Sequence, residues 1–277
     1  MTPILSVLIP ASNEERYIGG CLKALFSSEP VPGFTVEVIV IANGCTDDTV
    51  GVAQRFTTMA EPRGWRLQVL DLAKGGKMAA LNAGDETAIG RIRVYLDADV
   101  TVSPHLLADL AQALDVAPAR YATGTPEIAP AASGVTRLYG RFWARVPFMR
   151  DGAPGFGIYA VNAAGRSRWA EFPDIISDDT FVRLNFAPAE RVQVRARYRW
   201  PLVEGLGPLI RVRRRQDQGV AEIRRLYPAL MANDTKAQAE LWPLFRADPL
   251  GFVVYSTVAL LVRLGGAQRT GWARGRG

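Results

Sequence analysis

The feature that most constrains this chain is a unit repeated four times before residue 115. Each copy is a short apolar run, then a polar cluster, then apolar residues at helical spacing. Val7, Leu8 and Ile9 end at Pro10. Ser12-Asn13-Glu14-Glu15 follows, and Tyr17, Ile18, Cys21, Leu22 and Leu25 share one helical face. A β-branched run over 36–42 leads through Asn43-Gly44-Cys45-Thr46-Asp47-Asp48, with a Thr or Asp as cap, into a helix over 50–56. The third unit joins a strand over 67–72 to a helix over 78–88 through Lys74-Gly75-Gly76-Lys77. The fourth ends its strand, 92–96, in Asp97-Ala98-Asp99. Ser103-Pro104 then predicts a cap and first-turn proline for a helix over 106–114.

Strands that alternate with helices and carry apolar residues on both faces predict an α/β fold with a mostly parallel central sheet flanked by helices. Ligands of such sheets bind outside the carboxyl ends of the strands. The polar clusters at Asn13-Glu14, 43–48, Gly76-Lys77 and 97–99 are therefore expected to converge on one crevice. After about residue 120 the rhythm changes. Residues 133–149 predict one amphipathic helix with Arg137, Arg141 and Arg145 along a basic stripe. A glycine-rich strand over 155–161, a short helix over 178–184 and an alternating strand over 192–198 follow. Gly155-Phe156-Gly157-Ile158-Tyr159-Ala160 satisfies a dinucleotide pattern but lacks the preceding strand and following helix, so no nicotinamide site is expected.

Composition narrows the chemistry. One histidine, His105, and two cysteines, Cys21 and Cys45, in 277 residues exclude a disulfide framework, most histidine metal sites and histidine-based triads. Carboxylates are left to do the work. The net charge is +6, and eight arginines crowd residues 191–215, which suggests a diphosphate or an acidic membrane surface as partner. No nucleic-acid-binding module is recognisable, so no nucleic acid is expected. The first ten residues lack a signal-peptide pattern, which predicts an intracellular chain. Residues 249–262 carry no charge and are bracketed by Asp248 and Arg263. That is too short to span a bilayer and fits either core packing or a membrane interface, where Arg269, Arg274 and Arg276 would suit an anionic leaflet.

Two carboxylates directly after a buried strand can hold Mg²⁺ or Mn²⁺, which in turn binds the phosphates of a nucleotide diphosphate; the alternative is a capping and a loop aspartate. Four motifs then stand in order: Leu5-Ser6-Val7-Leu8-Ile9-Pro10-Ala11-Ser12-Asn13-Glu14-Glu15, Asn43-Gly44-Cys45-Thr46-Asp47-Asp48-Thr49, Gly76-Lys77-Met78-Ala79-Ala80-Leu81-Asn82-Ala83-Gly84 and Asp97-Ala98-Asp99. In these motifs the chain resembles the inverting family 2 glycosyltransferases of GT-A fold. The likeness continues more loosely to about residue 220.

The resemblance implies a GT-A domain over 1–220, with a nucleotide-sugar half over 1–100 and an acceptor half over 101–220. A helical extension over 221–277 would follow, with 249–264 as a membrane-interface segment. It implies that Pro10 and Ala11 line the nucleotide, with Asn13 beside them. Glu14 would bind base or ribose, and Asn43 stands where the family often has a base-contacting aspartate. Gly76 would let its loop approach the nucleotide, Lys77 would meet base or phosphate, and Asn82 would brace this loop. Asp97, with Ala98, would serve the nucleotide and sugar side, and Asp99 the metal. Within Ser177-Asp178-Asp179-Thr180, Asp179 aligns with the general base and Asp178 with its acidic neighbour, though two acids can also merely cap a helix. Arg215 and Gly219 match part of a processive motif whose Gln and Trp are replaced by Val212 and Gln216, which favours transfer of a single sugar. Arg213, Arg214 and Arg215 could bind donor diphosphate, an anionic lipid or an acceptor phosphate.

The resulting expectation is a glycosyltransferase that moves a sugar from a nucleotide donor, UDP favoured, to a saccharide or lipid-linked acceptor in cell-surface polysaccharide or glycolipid synthesis. It would work with Mn²⁺ or Mg²⁺ and sit peripherally at the cytoplasmic face of the plasma membrane. The alternative is a catalytically silent sugar-nucleotide-binding scaffold.

Overall fold

The computed structural model describes residues 2–235 and 240–265. Four apolar runs form parallel strands, three of them buried and β3 half-buried at the sheet edge: β1 (Ile4–Ala11), β2 (Thr35–Asn43), β3 (Arg66–Leu72) and β4 (Ile92–Leu96). Between them lie α1 (Ile18–Phe26), α2 (Thr49–Gln54), α3 (Thr57–Ala60) and α4 (Lys77–Thr87). The order β3-β2-β1-β4 makes the chain run outward from β1 and then return to its other side. This reversal opens a crevice outside the carboxyl ends of β1 and β4. A buried polar pair closes the opposite edge: Ser6 Oγ donates to Glu37 Oε1 at 2.6 Å, and Ile89 N donates to the same carboxylate at 2.7 Å. These two bonds keep the buried carboxylate partnered under the α4–β4 turn.

The remaining strands extend this sheet to eight, adding β5 (Thr101–Val102), β6 (Tyr121–Ile128), β7 (Ile158–Asn162) and β8 (Arg191–Trp200) in the order β4-β7-β6-β8-β5. Strand β7 runs antiparallel to both β4 and β6. The parallel half is thus the part built by the repeated unit, and the second half is mixed. Strand β6 and the longest helix have no counterpart among the predicted elements. Beginning with Tyr121, β6 is fully buried only over its first four residues, too short an apolar run to stand out.

The helices of this half are α5 (Leu106–Leu114), α6 (Gly134–Trp143), α7 (Pro147–Asp151), α8 (Ala163–Arg166), α9 (Asp178–Leu184), α10 (Leu206–Leu226), α11 (Leu241–Ala247) and α12 (Pro249–Leu264). Two sequence expectations are corrected. The single helix over 133–149 is broken into α6 and α7, because Pro147 has no N–H to continue a helix and starts a new one instead. Helix α5 begins at Leu106 with exposed His105 as its N-cap, so Pro104 lies outside it. Ser103 Oγ accepts instead from Arg197 N at 3.1 Å, which ties the loop to β8.

Helix α12 uses one side of the uncharged run 249–262 for core packing. Its inner face lies on α6: Tyr255 stacks on Tyr139 with ring centroids 5.3 Å apart, and Val258 is fully buried. Its outer face is exposed. The buried Asp248 carboxylate caps the helix, accepting from Gly251 N at 3.0 Å, and takes a bidentate pair from Arg141. Arg145 approaches the same carboxylate at 3.4 Å. Arg141, foremost through its hydrogen bonds, holds the Asp248 carboxyl below its ordinary value. The predicted basic stripe is therefore spent largely inside the chain: Arg137 caps the backbone at Ala131 and Ala132. Arg269, Arg274 and Arg276 lie outside the described residues.

Candidate active site

The carboxyl ends of β1, β2 and β4 deliver their polar residues to one cavity of about 340 Å³. Its lining includes Pro10, Asn13, Glu14, Asn43, Lys77, Asp97, Ala98, Asp99, Asp178, Asp179 and Arg215. Residues singled out from six separate stretches of sequence thus meet there, Arg215 among them, brought in by α10. Ala11 and Gly76 adjoin this lining, and Asn43 bonds to the backbone of both.

Several of these side chains shape the loops. Asn13 sits in left-handed backbone, φ 55°, donates to Thr46 Oγ1 at 3.0 Å and accepts from Thr46 N at 2.6 Å, stapling the first polar cluster to the second. Asn43 is buried and spends its amide on backbone: it donates to Ala11 O at 2.9 Å and accepts from Gly76 N at 2.9 Å. Losing that amide would leave Gly76 N unpaired, at about 1–3 kcal/mol, and would leave Ala11 O with the Cys45 thiol at 3.6 Å as its remaining side-chain donor. Asn43 is accordingly a brace as well as a lining residue. Asn82 does not brace the Gly76 loop; it pairs with Phe172, accepting from its N at 2.7 Å and donating to its O at 3.1 Å.

The charged centre is a bridge that no local motif announces. Lys77 Nζ lies 2.9 Å from Asp97 Oδ1 and 3.0 Å from Asp178 Oδ1, joining the first turn of α4 to the end of β4 and the start of α9. Burial opposes the Lys77 charge, but Asp178 and Asp97 outweigh it, so the ammonium is held more firmly than usual. Asp178 is nearly inaccessible and also accepts from Tyr159 Oη at 3.0 Å. Tyr159 stacks on Tyr95 at 4.9 Å, so an aromatic floor sets the height of Asp178. Asp179 differs from its neighbour. It accepts the N–H of Thr180 at 2.6 Å, and burial together with the Asp178 charge raises its carboxyl to about 6.

Two glycines allow the loops to meet. Gly157, φ 79°, lets its carbonyl accept from Asp97 N at 2.8 Å; a Cβ there would strike Val100 and the Trp200 ring. This explains the apparent dinucleotide pattern as a packing requirement. Gly219 of α10 touches the loop ahead of α9, where a Cβ would lie 3.0 Å from Ser177 Cβ and inside the reach of its hydroxyl. Glu222 on the same helix accepts from Ile176 N at 2.8 Å. Helix α10 is thus the clamp of the Asp178-Asp179 loop. Gly219→Ala is expected to displace that loop and lower kcat roughly tenfold to a hundredfold while nucleotide affinity is kept; steady-state kinetics beside calorimetric titration check it.

Asp97 and Asp99 are both partly exposed in the lining of the cavity, and Lys77 fixes one oxygen of Asp97. Among the described residues no group of three or more His, Cys, Asp or Glu gathers as a complete metal cage. Two hard carboxylates at an open cavity nonetheless fit Mg²⁺ or Mn²⁺, which commonly use one or two protein carboxylates and complete their shell with phosphates and water. Cys21 lies buried beneath this loop, its thiol pushed up by burial and by Asp99, Asp97 and Glu14, which makes it inert. A second part of the cavity is apolar and aromatic, with Tyr139, Trp143, Phe156, Trp200, Leu202 and Val212.

A parallel sheet extended by a mixed half, with carboxylates gathered at the strand ends beside an aromatic recess, defines a GT-A glycosyltransferase. Residues 6–168, more than half of the chain, match the family model described as Glycosyl transferase family 2, and the chain belongs to that family. It is 38% identical over 104 residues to Glycosyltransferase AglE of Haloferax volcanii, covering 37% of this chain and 32% of the relative. It is 36% identical over 101 residues to a Dolichyl-phosphate beta-glucosyltransferase of Drosophila melanogaster, covering 34% and 30%. The matched part spans about a third of the length of each relative.

Among solved structures, the mannosyltransferase PcManGT from Pyrobaculum calidifontis in complex with GDP-Man and Mn²⁺ superposes with a TM-score of 0.61. It is 19% identical, over 97% of this chain and 77% of the other. TarS 1–349 of S. aureus in complex with UDP-GlcNAc gives 0.53 at 17% identity, over 98% and 95%. At these identities the likeness carries the fold. The chain thus belongs to glycosyltransferase family 2 and shares its fold with neighbours solved in complex with nucleotide sugars, in one case with Mn²⁺.

Proposed function

We propose that the chain transfers one sugar, with inversion, from a nucleotide-diphosphate donor, UDP favoured, to a hydroxyl of a saccharide or lipid-linked acceptor. The observation that carries this is the division of labour between two adjacent acids. Asp178 is consumed by Lys77 and Tyr159, while Asp179, at about 6, lines the cavity as a carboxylate that is ionised at neutral pH and still basic enough to take a proton. In the displacement the acceptor oxygen bonds to the anomeric carbon as its proton passes to Asp179. The bond from that carbon to the diphosphate oxygen breaks, and the nucleoside diphosphate leaves with the electron pair. Pro10, Glu14 and Asn43 face the nucleotide in this reading, with Ala11 and Gly76 shaping the backbone around it. Lys77 holds Asp97 and Asp178 at fixed positions, and Arg215 stands where a diphosphate or an anionic acceptor group is bound. A divalent ion held by Asp99 with Asp97 would neutralise charge developing on the leaving diphosphate.

In this proposal residues 1–220 form the catalytic domain, completed by the end of α10 whose Glu222 holds the loop ahead of α9, and the rest to residue 277 is an extension, with the enzyme working at the cytoplasmic face of the plasma membrane. Its product belongs to cell-surface polysaccharide or glycolipid synthesis, consistent with the lipid-linked substrate named for the Drosophila relative. Calorimetric titration with UDP and GDP, with and without Mn²⁺, tests the donor site. Manganese-dependent binding of one nucleotide, weakened at least about tenfold by Asp99→Ala, is the expected result. Failure of either nucleotide to bind with Mn²⁺ overturns it.

A further inference from the structure

The outer face of α11–α12 is a surface without an assigned role. Leu250, Val253, Leu260 and Leu264 are each at least 55% exposed, and with exposed Thr257 they recur every three or four residues along one face of α12. Leu241 and Trp242 of α11 add to this patch at more than 60% exposure, Trp242 stacking on Phe245, whose ring in turn meets Phe252 of α12 at 5.4 Å. The patch is therefore a rigid continuation of α12, whose inner face is anchored on α6. Such a contiguous apolar face on the outside of a folded domain marks an interaction site.

Charge selects the partner. Between Leu241 and Leu264 the charged residues are Arg246 and Arg263, both exposed, and Asp248, which is buried. A surface recess beside Leu250 and Pro249 is lined by Arg141 and Arg145 around the Asp248 carboxylate, so two guanidiniums face one acid. The apolar face thus carries a basic rim at both ends of α12, and its one exposed acid is Glu240 at the N-cap of α11. A second copy of the chain would set basic rim against basic rim. An anionic bilayer complements both features, taking leucine and tryptophan side chains at the level of the headgroups and arginines at the phosphates. No helix among the described residues is long and apolar enough to cross a membrane, so the element would lie in the plane.

We infer that the outer face of α11–α12 docks the enzyme on an anionic lipid surface. Tyr255 on the inner face of α12 stacks on Tyr139, which lines the aromatic part of the cavity, so docking would hold that part of the cavity one helix away from the lipid. This docking deepens the membrane side of the proposed function and rests on it.

Sedimentation of the full chain with vesicles of phosphatidylglycerol and phosphatidylcholine, compared with phosphatidylcholine alone, tests it without donor, metal or acceptor. Cosedimentation with the anionic vesicles is expected, weakened by added salt. Leu250→Glu with Leu260→Glu is expected to lower partitioning about tenfold or more, and Arg246→Glu with Arg263→Glu to remove the preference for anionic lipid. All four positions are exposed, and nucleotide titration of the same samples reports whether the donor site is intact. Three results each overturn the docking surface: absence of vesicle binding by the native chain, binding unchanged by the Leu variants, or analytical ultracentrifugation showing a native dimer that these variants dissociate. Vesicle binding with no nucleotide binding would instead overturn the donor site alone.

Discussion

Asp179→Asn is expected to lower kcat by roughly 10² to 10⁴ while leaving nucleotide affinity in place, because the amide keeps the shape of the side chain and loses the ability to accept a proton. In the native enzyme kcat/KM should rise with pH through about 6 and then level off. Burial first, then the Asp178 charge, raises the Asp179 carboxyl, with Lys77 opposing them. In its proposed role as base Asp179 works ionised, so protonation below about 6 removes it. The same shift has a consequence for stability. A carboxyl raised in the folded state contributes stability below the ordinary carboxylate range and loses that contribution as pH rises through about 6. Asp179→Asn should therefore melt a few degrees above the native protein near pH 8, with the difference shrinking at low pH. A variant that is both inactive and less stable at pH 8 would speak for a capping role. Unchanged kcat would remove Asp179 from the chemistry.

Lys77→Met is expected to be the most damaging single change to the stability of the site. It leaves Asp178, buried and still facing Asp97, without its cation, and removing one partner of a buried ion pair typically costs several kcal/mol. Partial exposure of Lys77 and Asp97 reduces this, so about 2–4 kcal/mol is expected, a fall in Tm of roughly 5–12 °C. Nucleotide binding should weaken in parallel, since Asp97 then loses its anchor. Lys77→Met combined with Asp178→Asn should recover part of the lost stability, because the second change removes the stranded charge. Differential scanning calorimetry of the four proteins measures the coupling directly. Additive effects of the two substitutions would show that the bridge carries no stability.

Much of the donor side is legible in the amino-acid sequence alone. Pro10, Asn43, Gly76 and Asp97 each follow an apolar run, and in a parallel sheet the ends of such runs must lie at one edge. The acceptor side is not legible in the same way. Strand β6 loses its burial halfway along, and Thr125, Pro126 and Glu127 there do not alternate in a way that declares a strand. Helix α10 is rich in arginine, and its partners, Ser177 and Ile176, are some forty residues away in sequence. The stripe of Arg137, Arg141 and Arg145 reads as a surface for an external anion, whereas Asp248, more than a hundred residues later, supplies most of its partner.

The sequence by itself determined the parallel half of the sheet, the crevice at its edge and the residue types available for chemistry, since these follow from local periodicity and from the shortage of histidine and cysteine. Tertiary structure decided what surrounds each of the two adjacent acids, which is what the proposed reaction rests on. Asp178 and Asp179 are neighbours of identical chemistry, and although the family resemblance aligns Asp179 with the base, no local physical property separates them. Their roles separate because Lys77 arrives from α4 and Tyr159 from β7 to take Asp178, while burial leaves Asp179 raised and lining the cavity. Hydrophobic periodicity is a local property, but the electrostatic environment of a carboxylate is the sum of charges and excluded water brought to it from distant parts of the chain.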